Sequence, residues 1–158
     1  MKYYPTELEK WVERLYINMA VHSANDIDEY IICNHLNIHF FKRPLPSFCY
    51  ETSRFKSITV DIRLSPKKQR EVFFHELAHL LRHAGWQLKG MPPAFRQLQE
   101  WDAKRFVEYA ALPYHMIKSI DFTQHNLIPS MVNTFKVTPE LCERRLTRIY
   151  EKSEVYCY

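Results

Sequence analysis

Leu8, Trp11, Val12, Leu15, Tyr16 and Met19 recur at three- and four-residue intervals, which predicts a first helix over about residues 6–22. Asp26 reads as the N-cap of a short second helix running to about Leu36. The period then changes. Residues 38–42, 47–52 and 57–63 are rich in Phe, Tyr, Ile, Val and Thr and predict three strands, with Pro44 and Pro46 breaking the first pair. Ser65 and Pro66 supply an N-cap and a proline at the first helical position. Neither Gly nor Pro interrupts the run from Lys67 to Ala84, so a helix of about five turns is expected, with Gly85 as its stop. After Pro92 and Pro93 a second long helix is predicted from Ala94 to Leu112, closed by Pro113. Shorter helices follow at about 114–121, 126–135 and 139–152. No repeat or low-complexity segment appears. A small three-stranded sheet packed by helices makes an α+β fold, and 158 residues suit one domain spanning 1–158.

Composition narrows the function classes. The chain is 46% hydrophobic and 15% aromatic, enough for a real core, and its 2 glycines exclude a glycine-rich phosphate loop. No apolar run is long enough to cross a membrane. Residues Met1 to Glu7 lead straight into a charged amphipathic pattern, unlike a signal peptide. Cys33, Cys49, Cys142 and Cys157 show no C-x-x-C spacing, so reduced thiols and a cytoplasmic location are expected.

The chemistry concentrates in His75-Glu76-Leu77-Ala78-His79. Two histidines four apart on a helix stand one turn above the other, ~6 Å along the axis, where both imidazoles reach one metal ion. Zinc suits them, with manganese as the alternative. Glu76 is rotated ~100° from His75 and stands beside the metal, where a general base for an activated water belongs. The bland alternative is a surface helix with two solvated histidines. Context opposes it. Phe73, Leu77, Leu80, Leu81 and Ala84 form one apolar stripe, His75 and His79 lie roughly opposite, and Val72 on their side hints that this second face is covered too.

A catalytic zinc site usually takes three protein ligands. His83 continues the four-residue spacing but is ~12 Å from His75 along the axis, which excludes shared ligation and makes it a helix-terminus residue or a neighbour of the ligands. The metzincin third histidine would fall at position 85, which is Gly85. The second long helix offers Glu100, Asp102 and Glu108. Glu100 shares a narrow face with Ala103, Val107, Ala110 and Ala111, which can lie close against the histidine helix. Asp102 points elsewhere, with Leu98, Arg105 and Tyr109, and Glu108 is also off that face. Glu100 is therefore the favoured third ligand.

The stretch from His75 to Gly85 resembles the active-site helix of the ImmA/IrrE family of bacterial metallo-endopeptidases. Glu100-Trp101-Asp102-Ala103, then Phe106 and Leu112-Pro113, resembles that family's second motif. The resemblance implies a zincin-like metallopeptidase core, a metal on His75, His79 and Glu100, and Glu76 as catalytic base. It also implies a helix-turn-helix transcriptional repressor of a phage or mobile element as substrate. Two departures stand out. Lys104 occupies a position where the family commonly has Asn, and Val107-Glu108-Tyr109 replaces small residues. Tyr109, Tyr114 and His115 are weak candidates for stabilising an oxyanion.

Residues 123–152 form a C-terminal helical segment resembling a helix-turn-helix. Arg144, Arg145, Arg148 and Lys152 are expected to line its outer side, as a docking surface for the substrate or for DNA phosphates. A net charge of +4 is too mild to favour DNA, so a protein partner is expected instead. The alternative function is a non-catalytic regulator with the same fold that binds a repressor or DNA. Lys104 and the basic last helix motivate that alternative.

Overall fold

The computed structural model describes residues 2–83 and 92–154; Ala84, Gly85 and Cys157, on which parts of the sequence reading fell, lie outside them. The order is α1 (Glu7–Asn18), a 3₁₀ turn (Ala24–Asp26), α2 (Glu29–His35), β1 (His39–Arg43), β2 (Phe48–Glu51), β3 (Lys56–Asp61), α3 (Pro66–Arg82), α4 (Pro93–Ala111), α5 (Tyr114–Ile117), α6 (Leu127–Phe135) and α7 (Pro139–Glu154). These residues group into two compact units, 28–107 and 1–27 with 108–158, and the division falls inside α4.

In the first unit the sheet order is β1-β3-β2, with β1 parallel and β2 antiparallel to β3. The strand just before the histidine helix is thus central, and the edges belong to β1 and β2. Alternation along β3 turns Ile58 and Val60, both fully buried, toward one face of the sheet. Phe40 of β1 meets Phe73 of α3 edge-on at 5.2 Å, and Phe73 meets Phe74 at the same distance. Arg70 of α3 grips Glu29 of α2 through Nε–Oε1 (2.8 Å) and Nη2–Oε2 (3.3 Å). Helix α3 is thereby fixed on both flanks before its histidines are reached.

The second unit rests on a capping box that does more than cap. The Glu9 amide donates to Thr6 Oγ1 (3.3 Å), and the Thr6 amide donates back to Glu9 Oε2 (2.7 Å). The same carboxylate accepts the Tyr3 hydroxyl (2.8 Å) and Arg145 Nη2 (2.5 Å). Arg145 Nε also donates to the Leu112 carbonyl (3.1 Å), and its guanidinium lies 4.7 Å from the Tyr109 ring centroid. Helices α6 and α7 join through Lys136, whose left-handed φ of 58° ends α6.

Several boundaries differ from the sequence reading. Helix α1 stops at Asn18 because Ala20 is left-handed (φ 56°) and the Val21 amide returns to the Tyr16 carbonyl (2.9 Å). Asn37 (φ 54°) ends α2 the same way, with Ile38 N–H on Cys33 O (2.9 Å). The cap of α2 is Asp28, which accepts the Ile31 amide (3.0 Å), while Asp26 caps the preceding 3₁₀ turn through the Ser23 amide (2.8 Å). Helix α3 ends at Arg82 with His83 as its C-cap. Helix α5 ends at Ile117, and Asp121 takes the Thr123 amide in a turn (2.9 Å).

Candidate metal centre

His75 and His79 stack one turn apart on α3, their ring centroids 4.8 Å apart. Their Nε2 atoms face each other at 3.2 Å. Helix α4 brings Glu100 to both: Oε2 lies 3.3 Å from His75 Nε2 and Oε1 lies 3.1 Å from His79 Nε2. The three side chains each offer a ligand atom within 4.8 Å of the others. On a tetrahedron of metal–ligand bonds near ~2.05 Å, neighbouring ligand atoms stand about 3.3 Å apart. The observed separations of 3.1–3.3 Å fit that spacing. The donor set of two imidazoles and a carboxylate suits zinc.

The electrostatics agree with a cation's place. Burial, and then the neighbouring His75, push His79 down to about 4 against the pull of Glu100. At neutral pH the ring is uncharged and has a lone pair to offer. His79 is 2% exposed, so it is no solvated surface histidine.

Glu76 stands next to this cluster without joining it. Burial pushes its carboxyl above the ordinary glutamate range and Glu100 adds to that, while His75 and hydrogen bonds from Cys49 pull the other way. Cys49 lies on edge strand β2, so the prospective base sits where the helix meets the sheet edge. A carboxyl raised above its ordinary range holds a proton more readily than a solvated glutamate, which suits a group that takes and returns one.

Asp102 does not point elsewhere, as its sequence neighbours suggested. Oδ2 lies 2.8 Å from His83 Nε2 and accepts Arg82 Nε (2.7 Å), and Oδ1 accepts Arg82 Nη2 (3.1 Å). Burial raises the Asp102 carboxyl, but Arg82 and His83 together outweigh it and hold it below its ordinary range. His83 Nδ1 in turn lies 3.0 Å from His79 Nδ1. His83 is therefore not among the ligand atoms but directly behind one of them. Its i+4 spacing from His79 was the available signal. Nothing in the sequence pointed to Asp102 as the next partner.

Lys104 is exposed on α4, four residues beyond Glu100. Tyr109 is buried under Arg145, and Tyr114 stacks on Tyr3 at 4.5 Å. His115 meets Tyr16 at 6.3 Å. The basic outer face of α7 is also overturned. Arg145 is fully buried and paired with Glu9, Arg148 is paired with the buried Glu108 (2.7 and 3.1 Å), and of the three arginines Arg144 alone is exposed. The signal was present: Arg145 lies four residues from both Leu141 and Ile149, on the apolar stripe.

The sequence model of Peptidase M78, described as an IrrE N-terminal-like domain, matches residues 33–147, which contain the whole cluster. The uncharacterized protein YqaB of Bacillus subtilis (strain 168) is 30% identical over 154 residues, covering 96% of this chain and 89% of its own length. The phage-like element PBSX protein XkdA of the same organism is 30% identical over 145 residues, covering 90% of this chain and 73% of its own. No solved structure matches.

Proposed function

Because the chain belongs to the Peptidase M78 family with its IrrE N-terminal-like domain, we propose that it is a zinc-dependent endopeptidase cleaving a helix-turn-helix repressor of a phage or mobile element. One observation carries the reading: two imidazole nitrogens and a carboxylate converge at ligand spacing beside a half-buried Glu76. Zinc on His75, His79 and Glu100 supplies Lewis acidity toward water and the scissile carbonyl. Glu76 takes a proton from the attacking water and passes it to the leaving amine. The fixed helix α3 holds this base one residue from the first ligand, so no rearrangement is needed to bring them together.

An extended substrate segment would add to the outer edge of β2, the strand whose Cys49 touches Glu76. Phe48 and Tyr50 on that strand are 43% and 49% exposed and offer contacts for alternate substrate side chains. A relative bearing the name of a phage-like element supports the mobile-element setting. No helix among the described residues is long and apolar enough to cross a membrane, which suits a substrate in the cytoplasm.

The non-catalytic regulator remains the second reading: Lys104 keeps its place four residues past Glu100, whereas the basic last helix loses Arg145 to the core. The test uses zinc-loaded protein with a helix-turn-helix repressor drawn from the same mobile element, and casein as the generic substrate. Cleavage of the repressor, abolished in Glu76→Gln, is expected. Digestion of casein with the repressor untouched would overturn the selective-protease reading, and tight binding without cleavage would favour the regulator.

A further inference from the structure

Resting on the metal-site reading above, we infer that His83 is a positioning residue for the ligand His79, held in its turn by Asp102 and Arg82. The inference follows from counting protons along a line of four side chains. His79 Nε2 faces His75 and Glu100, so as a ligand it must present a lone pair there. The ring's one remaining proton is then on Nδ1. That nitrogen lies 3.0 Å from His83 Nδ1, and only one of the two can donate. His83 Nδ1 therefore accepts, which puts the His83 proton on Nε2. Nε2 faces Asp102 Oδ2 at 2.8 Å, an ionised oxygen that can only accept. The two Arg82 bonds, at 2.7 and 3.1 Å, hold that carboxylate in plane.

The opposite assignment fails at its last link. If neutral His83 donated to His79, its Nε2 lone pair would face the Asp102 carboxylate, and two acceptors would meet at hydrogen-bond distance. With both rings neutral, this arrangement alone satisfies every member, and it turns the His79 Nε2 lone pair toward His75 and Glu100. The line also ties the two helices on the side away from the metal: His79, Arg82 and His83 come from α3 and its cap, and Asp102 comes from α4, two residues past Glu100. Orienting the imidazole and fixing the helix that brings the carboxylate are the same act. Many metal-bound histidines lean directly on a carboxylate; here a second imidazole is interposed.

The test measures zinc affinity by competition with a chromophoric chelator in wild type, His83→Leu, His83→Gln and Glu100→Ala. Leu restores most of the buried volume. Gln restores an acceptor for His79 and a donor for Asp102. His83→Leu should weaken zinc binding by about 10–100-fold, with one ion still bound at saturation, and Gln should recover most of the loss. Equal affinity in wild type and His83→Leu would overturn the positioning role alone. Zinc binding in wild type that ignores Glu100→Ala would overturn the metal site itself. Asp102→Asn, at a side chain 30% exposed, covers the case in which His83→Leu does not fold, and it should weaken zinc in the same direction. Nitrogen NMR of zinc-loaded wild type gives a readout that packing alone would not move: a protonated Nε2 and an unprotonated Nδ1 on His83 are expected, and a protonated Nδ1 on His83 would overturn the line.

Discussion

Two clusters of charged side chains, one in each compact unit, are assembled from similar parts and end in opposite states. Around Glu9 each carboxylate oxygen meets a donor: the Tyr3 hydroxyl, the Thr6 amide and hydroxyl, and the Arg145 guanidinium. Positive meets negative and the Glu9 carboxylate is closed off, while Arg145 Nη1 is buried with no hydrogen-bond partner among the described residues. Around Glu100 two imidazole nitrogens and two carboxylate oxygens are turned toward one another at 3.1–3.3 Å. Every member of that set can accept, and on the line proposed above the His79 proton sits on the other side of its ring. Charges that satisfy one another hold a fold together, whereas acceptors gathered without a donor hold a place for a cation. The difference separates a structural residue from a functional one more reliably than residue type, since both clusters contain a glutamate on a helix.

Removing a ligand should have the largest effect and should fall on metal alone. Glu100→Ala is expected to lower zinc affinity by about 10³–10⁴-fold, or ~4–5 kcal/mol, roughly a ligand's share of a whole structural site. The metal-free protein should melt near the wild-type temperature, because Glu100 is partly exposed and answers no buried cation. A large fall in metal-free stability would show that the cluster holds the fold after all.

The reciprocal experiment is Arg145→Ala. It leaves a buried carboxylate without its partner and should cost about 3–4 kcal/mol in denaturant unfolding, with zinc affinity unchanged in the folded fraction. Replacing the pair together by Glu9→Leu and Arg145→Met should recover much of that cost, since a buried ion pair is weak evidence for net stability. If the single substitution is tolerated at no cost, the closed cluster is not what the geometry says it is.

The two clusters also differ in how far the sequence disclosed them. The meeting of His75 with His79 was legible because helical spacing fixes it, and Glu100 was singled out by the small-residue face it shares along α4. The strands were legible from their β-branched and aromatic content, but their order was not: β3, the strand before α3, is central. Arg145 was misread because charge was weighed above position; its place on the stripe of Leu141 and Ile149 already put it inside. The ends of α1 and α2 were missed for another reason. Their left-handed stops are Ala20 and Asn37, and a chain with 2 glycines does not mark its turns in the usual way.

Chemistry can be separated from both clusters. Glu76→Gln keeps shape and leaves every metal ligand in place, but it cannot accept a proton at neutral pH. Repressor cleavage should fall by about 10²–10³-fold while zinc affinity and melting temperature stay close to wild type. Undiminished turnover would falsify the general-base assignment. An equal fall in zinc affinity would instead make Glu76 part of the ligand set.

The smallest effect should come from protons rather than substitutions, and it again distinguishes the two clusters. Burial alone would raise the Glu9 carboxyl, but Arg145, the Thr6 amide and the Tyr3 hydroxyl outweigh it and leave it below the ordinary glutamate range. A carboxyl depressed in the folded state is protonated first in the unfolded chain. The stability it contributes is complete above the ordinary value of ~4.3 and drains away as pH falls from there through the folded value. Metal-free wild type should therefore lose stability in that acid window. Glu9→Gln, less stable than wild type at pH 7, should lose less on the way down, so that the two curves approach each other. Unfolding by denaturant at pH 7, 5, 4 and 3 reads this directly. Parallel curves would mean that Glu9 is not held as an ion by Arg145. Curves that approach, in a protein whose zinc affinity at pH 7 is the same for both variants, would place the acid-sensitive charge of the fold in one cluster and its metal chemistry in the other.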